Sequence, residues 1–276
     1  MRFPLPAEEI VVYTDLDGTL LDHHDYSYAA ARPALDELRR GGVPVVLTSS
    51  KTFPELVMLA DRLGLDHPVI GENGAFVAWP RAYDIGVPGD RERDGYRIRR
   101  FGADHAGIVA LLATLRADSS FRFEGFSDWD VATLAARTGL PPDDARRAGQ
   151  REASEPIVWR GSEAALSAFR RALADHGLTL VKGGRFFHVM GDTSKADAMR
   201  WLHHLLEERR GRALTSIALG DGPNDLQMLE AADVAVVVAN PDSDPIAPQA
   251  DRILWTRLPG PAGWNEAILE LLGGQR

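Results

Sequence analysis

Two carboxylates, Asp15 and Asp17, flank Leu16 in the stretch V-V-Y-T-D-L-D-G-T-L-L, residues 11–21. Acids this close repel, and both stay ionised only where a cation or hydrogen bonds offset the repulsion. A bound Mg²⁺, which takes oxygen ligands, is the simplest such partner. Three further clusters share this chemical character. Ser49 and Lys51 lie in T-S-S-K, Lys195 follows Thr193-Ser194, and Asp221, Asn224 and Asp225 lie in G-D-G-P-N-D. A third carboxylate at Asp221 would complete a hard oxygen site. The Ser49 hydroxyl and the Lys195 charge suit a tetrahedral phosphate, whose charge must be neutralised while a carboxylate attacks phosphorus.

Each cluster alone has a plainer reading. Asp-x-Asp is commonly a solvated loop, Ser49 could cap a helix, and Lys195 could be an ordinary helix-start lysine. His23-His24 in a polar loop reads as solvated rather than as a metal site. What raises the clusters above these readings is the elements that precede them. Residues 10–14 form a short apolar run rich in β-branched residues, the pattern of a buried strand. Val43–Leu47, Pro68–Ile70, Thr215–Leu219 and Val234–Val238 repeat the pattern. Helical stretches stand between them: one near Pro33 to Arg40 stopped by Gly41-Gly42, one opened by the capping box T-F-P-E at 52–55, one from Lys195 to about Arg210. Alternating strand and helix imply a doubly wound, Rossmann-like parallel sheet of the α/β class. In such sheets ligands bind beyond the carboxyl ends of the strands, where the four clusters would meet.

The rhythm breaks between residues 81 and 189. Six arginines (Arg81, Arg91, Arg93, Arg97, Arg99, Arg100) crowd its first part, and apolar runs shorten. Helices are expected after Asp104, over Val131–Thr138, after Pro141-Pro142 and after Ser162. Strands are expected at Pro156–Arg160 and as a hairpin, Leu178–Lys182 with Arg185–Met190, around Gly183-Gly184. This α+β pattern predicts an inserted domain over 81–189, within a core made of 1–80 and 190–276. The chain's formal net charge of −9 disfavours a nucleic-acid or anionic-membrane role. It contains no cysteine, which excludes disulfides and thiolate metal sites. No apolar run approaches the roughly 20 residues of a membrane helix, and residues 1–9 do not read as a signal peptide, so a cytoplasmic protein is expected. Oligomeric state stays open.

Taken in order, D-L-D-G-T at 15–19, the hydroxyl at Ser49, Lys195 and G-D-G-P-N-D at 220–225 resemble the four motifs of the haloacid dehalogenase-like phosphatase superfamily. That resemblance implies Asp15 as nucleophile and metal ligand, forming an aspartyl-phosphate. It implies Asp17 as general acid and then base, lending its backbone carbonyl to Mg²⁺. Asp221 would be the third protein ligand, with Asn224 and Asp225 supporting the metal and Lys195. E-N-G at 72–74 resembles the signature of the branch that carries an α+β cap between its second and third motifs.

A narrower likeness lies in D-H-H-D-Y-S-Y at 22–28, T-S-S-K-T at 48–52, R-E-A-S-E-P at 151–156 and G-G-R-F-F-H-V-M-G at 183–191. These stretches look like the mannosyl-3-phosphoglycerate phosphatase family, which releases mannosylglycerate, a compatible solute. The implied partner is a small phosphorylated glycoside. Lys51, where many relatives carry arginine, would meet its carboxylate. Asn73, Arg185 and His188 would complete the substrate contacts. Arg185 and His188 differ by an odd number and cannot share a face of a regular strand, so Arg185 is placed ahead of His188. Three rival readings stand beside this one: a phosphatase of glucosyl-3-phosphoglycerate or another phosphorylated sugar, a phosphomutase, and a phospho-sugar sensor without catalysis.

Overall fold

The structure, a computed structural model, describes residues 5–118, 121–183 and 185–273. Its first part runs β1 (Ile10–Thr14), α1 (Arg32–Arg40), β2 (Val45–Thr48), α2 (Phe53–Leu63), β3 (Val69–Gly71), β4 (Phe76–Pro80), β5 (Arg91–Arg93) and β6 (Tyr96–Arg100). The middle runs α3 (His105–Asp118), β7 (Phe123–Gly125), α4 (Val131–Thr138), α5 (Pro142–Ala148), β8 (Ser154–Trp159), α6 (Glu163–Ala174), β9 (Leu178–Lys182) and β10 (Phe187–Gly191). The last part is α7 (Lys195–Arg210), β11 (Thr215–Gly220), α8 (Leu226–Ala231), β12 (Val234–Ala239), β13 (Ile253–Pro259) and α9 (Gly260–Leu271).

The larger sheet has the order β13-β12-β11-β1-β2-β3-β4-β6-β5. Pairing is parallel from β13 to β3 and antiparallel from β3 to β5. Every residue of β1 is buried, as a central strand covered on both faces requires. Ile10 and Val12 face one apolar layer with Leu47, Leu56 and Trp264. Val11 and Tyr13 face the other, with Met199 and Leu202 of α7. The period-two alternation thus packs helices on both sides of one strand. The expected helix signals are realised. Thr52 and Glu55 form a capping box, and Gly64 closes α2 in the left-handed conformation.

A second sheet, β7-β8-β10-β9, is antiparallel and covers its own core of Ile108, Phe123, Ile157, Phe169 and Val189. Sheet membership revises the extent of the inserted block. Residues 91–100, grouped with it on sequence, pair through β5 and β6 with the larger sheet. Strands β4, β5, β6, β7 and β13 were not expected, and β10 begins at Phe187 rather than Arg185. Gly184 lies outside the described residues. No helix among the described residues is long and apolar enough to cross a membrane.

Candidate active site

Parallel pairing sets Thr14 beside Leu219 of β11 and Leu47 of β2, so three strands end together. Asp15 follows at the tip of β1, its N–H donating to the Leu219 carbonyl at 2.9 Å, and is only 6% exposed. Lys195 enters from above as the first residue of α7, whose N-terminus is capped by the Ser194 hydroxyl. The lysine is 2% exposed and donates to Asp15 Oδ1 and Asp225 Oδ1, each at 2.6 Å. Asp225 Oδ2 turns back to accept the N–H groups of Asp221 and Gly222, each at 3.1 Å. Asp221 is held on both oxygens, by the Thr19 hydroxyl at 2.6 Å and the Asn240 amide at 2.7 Å. The glycine of D-G-T is required twice over. Gly18 has φ of +83°, and a Cβ there would stand 2.5 Å from Asn240 Nδ2 and 2.9 Å from Asp221 Oδ2.

Asp15, Asp221 and Asp225 each bring an oxygen to within 4.8 Å of the others. Burial, followed by the Asp225 charge, pushes the Asp15 carboxyl well above the ordinary range. Asp221 is raised by the same two causes. Burial would lower the Lys195 ammonium, but Asp15 and Asp225 outweigh it and hold the ammonium above its usual value. Three clustered carboxylates against one ammonium leave negative charge uncompensated. The donors are all oxygens, so the residues fit a hard divalent cation such as Mg²⁺. The resemblance gives Asp225 a supporting role toward the metal and Lys195; its Oδ1 accepts from Lys195, and its carboxylate also lies in the cluster with Asp15 and Asp221. Asn224 is half-buried beside Gly222 in the same turn.

Asp17 points elsewhere. Its Oδ2 accepts from Lys51 Nζ at 2.8 Å, while Oδ1 is buried without a hydrogen-bond partner. Lys51, expected to meet a substrate carboxylate, thus pairs with Asp17 and lies 5.4 Å from the Tyr26 ring centre. Ser49 is buried after β2, and its hydroxyl accepts the Lys51 N–H at 3.3 Å. Asn73 donates its N–H to the Ser49 carbonyl at 3.0 Å, and its buried Oδ1 has no partner.

The structure sets Arg185 and His188 in different surroundings. Arg185 is exposed, lies in the turn before β10 and donates to the Thr138 carbonyl at 2.6 Å. His188 is buried within β10, with Nδ1 3.5 Å from Arg151 Nη2, and Arg151 reaches the Ser50 carbonyl at 3.3 Å. The strand period does not extend back to Arg185, so the facing argument did not apply to it. Burial, reinforced by the Arg151 charge, pushes the His188 imidazole down to about 3. Sequence reasoning also missed Thr19, Asn240, Arg151 and Glu72 as members of this neighbourhood. Thr19, Glu72 and Arg151 lie inside recognised stretches, which was the available signal. Asn240 sits in a turn-rich run whose composition carries none.

The sequence matches the haloacid dehalogenase-like hydrolase family over residues 12–85 and 165–255. The chain belongs to this family. The hydrolase is 37% identical over 271 residues to the glucosyl-3-phosphoglycerate/mannosyl-3-phosphoglycerate phosphatase of Methanococcoides burtonii, covering 95% of this chain and 97% of that one. Two solved structures share the fold. A phosphatase of the haloalkanoate superfamily from Bacteroides thetaiotaomicron superposes with TM-score 0.64 at 21% identity, covering 95% of this chain and 94% of its own. A Thermoplasma acidophilum protein gives TM-score 0.64 at 20% identity, covering 95% and 97%.

Proposed function

We propose that this haloacid dehalogenase-like hydrolase is a phosphoric monoester hydrolase that, with Mg²⁺, releases phosphate from mannosyl-3-phosphoglycerate. The observation that carries the phosphatase reading is the buried Asp15–Lys195–Asp225 chain beside Asp221 at the strand tips. The likeness to the Methanococcoides phosphatase along nearly the whole chain supports the substrate class. The product, mannosylglycerate, would serve as a compatible solute in the cytoplasm.

Asp15 and Asp221 by their side chains and Asp17 by its backbone carbonyl would hold Mg²⁺, supported by Asn224 and Asp225. The ion would supply charge neutralisation at the phosphoryl oxygens. Lys195 binds Asp15 Oδ1, leaving Oδ2 to attack phosphorus as the phosphorus–alkoxide bond breaks. The leaving alkoxide takes a proton from Asp17, carried on Oδ1, the oxygen that Lys51 leaves free. Asp17 then accepts a proton from water as that water attacks phosphorus and the Asp15–phosphorus bond breaks. Ser49 would donate its hydroxyl to the transferring phosphoryl group. Lys51, with Asn73 and the Arg151–His188 pair near Ser50, would meet the glycerate carboxylate and the sugar. Arg185, exposed and bound to Thr138, is given no substrate contact.

The double name of the Methanococcoides relative favours one second reading, the glucosyl ester. Phosphate release from mannosyl-3-phosphoglycerate, its glucosyl analogue and sugar phosphates lacking the glycerate carboxylate tests both. The proposal expects the two glycerate esters to be preferred, the mannosyl ester first. Preference for an ester without the carboxylate would contradict it.

A further inference from the structure

Glu72 does nothing in the chemistry above, yet it is one of the most constrained residues in the molecule. It is fully buried, and its backbone takes φ of +51°, followed by +60° at Asn73 and +96° at Gly74. Consecutive left-handed residues that include two non-glycines persist only where surroundings over-determine them. Three sets of contacts do so here. The Glu72 N–H donates to the Lys51 carbonyl at 3.0 Å and the Asn73 N–H to the Ser49 carbonyl at 3.0 Å, which fixes the turn to the loop after β2. Gly74 lies against the N-terminus of α7, where a Cβ would stand 2.1 Å from the Ser194 carbonyl oxygen. The Glu72 carboxylate points the other way and gathers the segment that leads into β8. It accepts from the N–H of Glu152 at 2.6 Å, the N–H of Ala153 at 3.1 Å and the Ser154 hydroxyl at 2.6 Å, with Arg151 Nε at 3.7 Å. One turn therefore joins the Ser49–Lys51 loop, the Lys195 helix and the second sheet.

We propose that Glu72 is a positioning residue that clamps residues 151–154 to the Ser49–Lys51 loop, so that the second sheet presents the sugar-bearing part of the substrate to the reaction centre in one register. A carboxylate suits this task because all its partners are donors, and buried charge-assisted bonds are strong and directional. Glutamine would keep the size but present an amide N–H₂ where acceptors are needed, leaving buried donors unpaired. The proposal rests on the phosphatase reading only in its choice of ester.

The test compares wild-type, Glu72→Gln and Glu72→Asp proteins on two substrates, mannosyl-3-phosphoglycerate and para-nitrophenyl phosphate, an aryl ester with no sugar to position. Amide hydrogen exchange at residues 152 and 153 is followed in parallel. Glu72→Gln should lower kcat/KM for the glycosyl ester on the order of 30-fold, the scale of a charged hydrogen bond lost from a buried site. The aryl ester should change by no more than about 3-fold, within the spread of a single such contact. Exchange at 152 and 153 should accelerate, and Glu72→Asp, which keeps the charge, should recover part of the selectivity. Equal losses on both esters, no loss on either, or unchanged exchange would overturn the proposal. If Glu72→Gln does not fold, Ser154→Ala removes the 2.6 Å bond to Glu72 together with the 2.9 Å bond that its hydroxyl accepts from Arg151 Nη2, and should show both faster exchange at 152 and 153 and a selective loss in smaller measure; absence of either would count equally against the clamp. If wild-type enzyme fails on the mannosyl ester, the best phosphorylated sugar replaces it. Failure of the functional reading then shows in the wild-type protein, and failure of the clamp in the variant-to-wild-type ratio.

Discussion

Lys195 is buried between two carboxylates, and its removal would leave Asp15 and Asp225 facing each other without a cation. Breaking a buried ion pair from one side costs about 3–5 kcal/mol. Lys195→Met should therefore lower the unfolding free energy, measured in urea without divalent ions, by about 3 kcal/mol, besides abolishing turnover. His188 makes a prediction of opposite origin. Its imidazole is held neutral, down to about 3 against 6.5 unperturbed. A depressed folded value means that the unfolded chain takes up the proton first as pH falls. Stability contributed by neutral His188 is thus intact above about pH 6.5 and is lost progressively toward pH 3. The slope should be about 1.4 kcal/mol per pH unit in that window. Denaturant titrations of His188→Gln should show a shallower acid dependence than the wild-type protein. At this scale the sequence was legible where a candidate residue directly follows a strand, as Asp15, Ser49 and Asp221 do. It was not legible where long-range packing alone brings a residue in, as with Asn240 on Asp221.

Helices were easier to read than strands, for a physical reason. Caps such as Thr52, Ser162 and Ser194 are local, and Gly64 and Gly211 end the first and last of these three helices in the left-handed conformation. The missed strands β5 and β6 alternate arginine with other residues, and β13 is an edge strand that exposes Trp255 and Leu258. Half-solvated strands lack the continuous apolar run that marked β1, β11 and β12. The turn after β3 ties elements together through glycine. Gly74→Ala combines an unfavourable positive φ with a clash against the Ser194 carbonyl, so the N-terminus of α7 must move. We expect a loss of more than about 1 kcal/mol, the cost of a strained left-handed position alone, seen as a lower melting temperature. Turnover should fall as well, because Lys195 is the next residue along that helix.

For the whole molecule, strand–helix alternation made the doubly wound core legible, and the motifs lie at one edge of it. The extent of the inserted block was less legible, because residues 91–100 carry the charged composition of the block and the hydrogen bonds of the larger sheet. The acid cluster sets the expected response to metal. A ligand bound only by the folded state at about 100 times its dissociation constant stabilises by about 2.7 kcal/mol. Mg²⁺ should therefore raise the melting temperature, a chelator should abolish activity reversibly, and Asp221→Asn should lose most of the thermal shift. The central claim is that Asp15 is the nucleophile of a phosphatase acting on a glycosyl phosphoglycerate. Its most direct test is phosphate release from mannosyl-3-phosphoglycerate in Mg²⁺ by the wild-type protein beside Asp15→Asn. The wild-type protein should turn the ester over, and the variant should lose at least about 1,000-fold, on the scale of losing a nucleophile, with circular dichroism unchanged. Turnover retained by a folded Asp15→Asn protein would contradict it.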